Sequence, residues 1–136
     1  MIASAAFWLA LWAWVMQDSF VWETCYKYVF ADRARWLMPL LMALLEAAIA
    51  LGMWWLALRL PGNAAVTFCL LGGLDSFPGH LWAIYGRRLF KACPLLQQVS
   101  VASALIFGFF EFVFYWSVIL IIAALLKRIG QVVKPA

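Results

Sequence analysis

Three acids stand apart from every other charge in this sequence. Glu46, Asp75 and Glu111 each form the only charged position in a long apolar run. An isolated carboxyl in hydrocarbon keeps its proton near neutrality. Such an O–H, aimed into an apolar cavity, can protonate an alkene or an epoxide. The resulting carbocation would be held by aromatic faces and a second carboxylate. His80, the only histidine, follows Asp75 by five residues and completes the candidate catalytic set. Phe107, Phe109, Phe110, Phe112, Phe114, Tyr115 and Trp116 crowd around Glu111, and aromatics make up 18% of the chain, enough to line a cavity. Phe107, Tyr115 and Trp116, with Trp54 and Asp18, are the candidate ligand contacts. A plainer reading stands beside this one. Consecutive aromatics point all round a helix, and protonated carboxyls can clasp Ser, Tyr or backbone groups instead of a ligand. Three carboxylates and one imidazole, without the Glu-x-x-His pairs of di-metal bundles, are too thin for a metal site. No metal and no cofactor are expected.

The elements that must position these residues follow from composition. The chain has 136 residues, 68% hydrophobic and only 12% charged, with a mean hydropathy of +0.97. Soluble domains run at about 45–50% apolar and about 25% charged. A soluble enzyme, a nucleic-acid module and a disordered tail are thereby excluded. The +4 net charge fits Lys and Arg at helix ends, meeting anionic headgroups. Four apolar runs, 2–22, 36–58, 64–85 and 99–126, are each long enough to cross a hydrocarbon core, which takes about 20 residues. The expected fold is an all-α integral membrane protein, multi-pass, a bundle of four transmembrane helices in a single domain. Glu46 is the eleventh of 23 residues in its run, Asp75 the twelfth of 22 and Glu111 the thirteenth of 28. An acid at mid-membrane costs roughly 2.5–3.5 kcal/mol on insertion scales. All three are therefore expected to face a shared interior. Small and hydroxyl residues around Glu111 (Ser100, Ser103, Ala104, Gly108) mark the stripe where helices approach.

The third run is unusual. Gly72, Gly73, Ser76, Pro78, Gly79 and His80 interrupt it around Asp75. Pro78 cannot donate to the carbonyl of Leu74. The pattern predicts a broken third helix whose freed backbone lines a site, or else a simple kink satisfied by Ser76. Leu60-Pro61-Gly62-Asn63 predicts a tight turn that folds the second and third runs into an antiparallel hairpin. The links 23–35 and 86–98 share six basic residues (Lys27, Arg33, Arg35, Arg87, Arg88, Lys91). Arg59 and the tail's Lys127, Arg128 and Lys134 give four on the other side. The positive-inside rule then favours both termini outside the cytoplasm. Three widely spaced cysteines, Cys25, Cys69 and Cys93, argue against a disulfide framework.

Several segments resemble the EXPERA or emopamil-binding-protein group. They are Trp14-Val15-Met16-Gln17-Asp18, Tyr26-Lys27-Tyr28-Val29-Phe30-Ala31-Asp32, Leu44-Leu45-Glu46-Ala47-Ala48 and the aromatic fourth run. The resemblance implies four membrane helices, a sterol or other lipid-like ligand, and acids that bind cationic amines or shuttle a proton during double-bond migration. Of the residues above it touches Asp18 and Glu46. The early histidine of the isomerase members has no counterpart before His80, and Asp75 and Glu111 have none in the group.

The function expected is an acid-lined, aromatic intramembrane pocket for an isoprenoid or sterol-type ligand, in an isomerase or cyclase using a protonated carboxyl. Two other classes remain open: an accessory subunit of a larger membrane complex, and a small proton-coupled carrier. The expected partners are a lipid-like molecule, the membrane, and a homo-oligomer or larger complex, with no nucleic acid.

Overall fold

A computed structural model describes residues 1–17, 34–86, 89–94 and 96–132. The chain is all-helical, with no strand among the described residues. Helix α1 spans Ile2–Gln17, α2 Ala34–Ala57 and α3 Ala64–Leu81. A π-helical turn, Trp82–Gly86, continues α3, and a single turn, α4, covers Leu89–Ala92 before the long α5, Val101–Val132. Helices α1 and α2 pack along each other, as do α3 and α5, and contacts of α2 with α3 and of α1 with α5 close the ring. Two segments, Leu37–Ala57 and Val101–Gln131, are long and apolar enough to cross a membrane.

Local sequence sets the ends of these helices. Gly62 takes a positive φ of 108°, which lets the chain reverse between α2 and α3. Asn63 then caps α3, its Oδ1 accepting from the backbone N–H of Ala65 at 2.9 Å and Val66 at 3.3 Å. Losing such a cap costs about 1 kcal/mol, so Asn63→Ala should lower the melting midpoint without changing helix content by circular dichroism. Ser100 does the same for α5, its Oγ accepting from Ser103 N–H at 3.0 Å. This capping role explains Ser100 better than membership of an acid-bearing stripe.

The core is made by small residues that let helices approach. Ala5, Ala6 and Ala10 of α1 and Ala43, Ala50 and Ala57 of α2 are all buried. Trp116 and Phe68 fill the space between the pairs, edge to face at 5.2 Å. The outer surfaces of α1, α2 and α5 carry exposed Trp, Leu, Ile and Phe, including Trp8, Trp12, Leu41, Leu51, Phe114 and Ile121.

The third helix is not broken. It runs unbroken through Gly72, Gly73 and Pro78, and the irregularity is the π turn beyond Leu81. The glycines are there for packing. A side chain at Gly72 would collide with the Trp116 indole, and one at Gly73 would come within 2.6 Å of Phe109. Ser76 steadies the proline turn, its Oγ donating to the Gly73 carbonyl at 2.7 Å. The cysteine expectation also changes. Cys93 is buried and disulfide-bonded, while Cys69 is a free thiol facing Ser117 Oγ at 3.3 Å. An odd count still leaves room for one pair.

Candidate functional site

Glu46 sits within the alanine seam of α2, three residues after Ala43 and four before Ala50, so it shares their inward face. It is 9% exposed, and its Oε2 is buried without a hydrogen-bond partner among the described residues. Asp75, half-buried on α3, is close enough to repel it electrostatically. The hydroxyl of Tyr115, from α5, feels the same Glu46 charge. Glu46 on α2 is thus within electrostatic reach of a carboxyl on α3 and a phenol on α5. The core alongside is apolar or small: Ala50, and the partly buried Ile49, Met53 and Phe112 around the Phe68–Trp116 pair.

His80 lies one turn beyond Asp75, nearer the end of α3. Its Nδ1 is 2.8 Å from the Ser76 carbonyl, and a carbonyl only accepts, so Nδ1 carries the proton. Nε2 is left as the ring's basic nitrogen in the neutral form. The ring packs edge-on to Phe112 at 6.1 Å and lies flush against Gly108, where an added Cβ would come within 2.5 Å of Cε1. Gly108 therefore serves as the seat for this imidazole, a role its sequence position alone does not reveal.

Other expected members of the site lie elsewhere. Glu111 does not join the interior acids; it is exposed on the outer face of α5. The small-residue stripe of α5 does turn inward, with Ala104 and Gly108 buried, but Glu111 lies off it. Phe107 is 72% exposed on that same outer face and lines no interior. Trp116 is fully buried, but as a packing residue against Phe68, Tyr115 and Gly72, its indole N–H without an acceptor. Trp54 packs edge-on against Phe68 at 5.6 Å, on the flank of the core. Asp18 lies outside the described residues. Among the described residues, no three His, Cys, Asp or Glu side chains are grouped to hold a metal ion.

What this arrangement can do follows from the pair of carboxyls. Two carboxyls within electrostatic reach of each other in an apolar surround resist ionising together, so one can present an acid O–H while the other is a carboxylate. That combination can bind a cationic amine or move a proton between two carbons. Comparison with protein-family models, with curated proteins and with solved structures finds no match to this chain.

Proposed function

We propose that this chain is a multi-pass membrane protein, with α1, α2, α3 and α5 as its four spans, and that Glu46 and Asp75 form an intramembrane site for a lipid-like ligand of isoprenoid or sterol type. The single observation behind this reading is the buried, unpartnered Oε2 of Glu46 beside a second carboxyl. A buried polar atom without a partner costs about 1–3 kcal/mol. A fold tolerates that cost where a ligand supplies the missing contact. The exposed apolar belts of α1, α2 and α5 support the membrane setting. Arg59 stacked over Trp55 at 3.8 Å, at the end of α2, suits the interface with headgroups. The likeness to the EXPERA group belongs to the same reading.

Within it, the chemistry is a proton shift. The Glu46 O–H protonates one carbon of a ligand double bond, the π pair forming the new C–H bond and leaving a cation on the neighbouring carbon. The Asp75 carboxylate then takes a proton from the far side of that cation, and the C–H pair becomes the new double bond. The tilted and edge-on rings of Phe112 and Tyr115 flank the site. Mass spectrometry of lipids that copurify with the chain tests the reading. One isoprenoid or sterol should be retained by the wild type and lost, about tenfold or more, from Glu46→Gln and Asp75→Asn. Phospholipids alone, unchanged in both variants, would sink it.

One observation favours a second role alongside the first. The exposed acid Glu111 calls for a partner helix, as an assembly subunit would present.

A further inference from the structure

Glu111 is placed where a solitary acid is poorly tolerated: eleven residues into the 32-residue α5, facing out, with Phe107, Phe110 and Phe114 around it at 72%, 64% and 72% exposure. Acyl tails offer a carboxyl no hydrogen bond, and Lys127 and Arg128 lie four turns further along. The sequence of the exposed face says what covers it. Phe107, Glu111, Phe114, Val118, Ile121 and Leu125 follow one another at spacings of four, three, four, three and four. That is the 3.5-residue repeat by which two helices keep one seam in contact over several turns. The inward seam of α5 is a different one, carried by Phe112, Trp116, Ile119 and Ala123. The helix therefore bears two seams, and among the described residues the outer one, apart from a half-buried Val118, is left exposed.

We propose that the outer seam of α5 pairs with the same seam of a second copy, Glu111 against Glu111 across a two-fold axis. This rests on the membrane reading above and goes beyond it. Two copies inserted into one membrane share an orientation, so their α5 helices run parallel and equivalent seam positions meet. A carboxyl in its acid form both donates and accepts. Two of them facing across the axis satisfy each other with a pair of O–H···O bonds, which an apolar partner or a lipid cannot provide. One polar residue in an otherwise apolar heptad seam is also the device that fixes register and strand number.

The test begins with an alkaline carbonate wash of membranes carrying the chain. A chain that washes off overturns the membrane reading and the dimer with it. If the chain stays, single cysteines are placed in a Cys69→Ser background at Val118, Ile121 and Leu125 on the seam and at Ile106 beside it, then oxidised in the membrane. Covalent homodimers at the three seam positions and none at Ile106 are expected. Energy transfer between labelled copies should show the dimer dissociation constant rising about tenfold in Glu111→Ala, on the scale of one interhelical hydrogen-bonded pair. Glu111→Gln, whose amide also donates and accepts, should stay near the wild type. A membrane-held chain that gives no seam cross-links, equal cross-links at Ile106, or cross-links only to other proteins overturns the dimer while leaving the ligand site standing.

Discussion

Gly72→Ala is expected to destabilise the bundle by about 3 kcal/mol or more, at the upper end for overpacking a core. The added methyl would enter the space occupied by the Trp116 indole. That ring cannot swing away. It is fully buried, held edge-on by Phe68 at 5.2 Å on one side and Tyr115 at 5.8 Å on the other. The only relief is for α3 and α5 to separate, and their contact is one of the two most extensive in the fold. Trp116→Leu alone should also cost several kcal/mol, about 2–5 by analogy with other large-to-small core changes. Combined, the two changes should cost less than their sum, because the leucine vacates the space the methyl needs. Thermal melting of the four proteins in the same detergent reads the cycle. An alanine variant that melts with the wild type, or strictly additive costs, would show that the indole does not need the space the glycine leaves.

That pair also shows how much of the molecule is legible in its sequence. The helices fall where the apolar runs put them, because hydrophobic length is a strong signal and Pro61, Gly62 and Asn63 leave the chain no way to stay helical. The small-residue seam of α2 and the placement of Glu46 within it follow from a seven-residue alanine spacing at 43, 50 and 57. What fails is reasoning from local propensity in the third run. Two glycines and a proline weaken a helix considered alone, yet here the glycines are the condition for α3 to lie against Trp116 and Phe109, a contact made by residues some forty positions away. Tertiary packing overrides propensity. Glu111 fails for a different reason. The insertion-cost argument says that a mid-membrane acid must meet something polar, and it places Glu46 and Asp75 together. It does not say that the partner belongs to the same chain. The stripe of Ala104 and Gly108 marks the interior side of α5, where Gly108 seats His80, and Glu111 lies off that stripe.

Glu46→Leu separates a ligand site from a structural clasp, because the two predict opposite signs. If the carboxyl exists to hold helices together, its removal breaks a buried polar bond and lowers stability. The geometry argues otherwise. Oε2 has no hydrogen-bond partner among the described residues. Leucine fills a similar volume and leaves no orphaned acceptor. The bundle is therefore expected to gain about 1–3 kcal/mol, the usual cost of an unsatisfied buried polar atom, and to melt higher. Retention of the copurifying lipid should meanwhile vanish. A rise in melting midpoint together with loss of ligand marks a residue kept for function at a cost in stability. A fall of similar size would place Glu46 among the groups that hold the fold together, and the proton-shift chemistry would lose its acid.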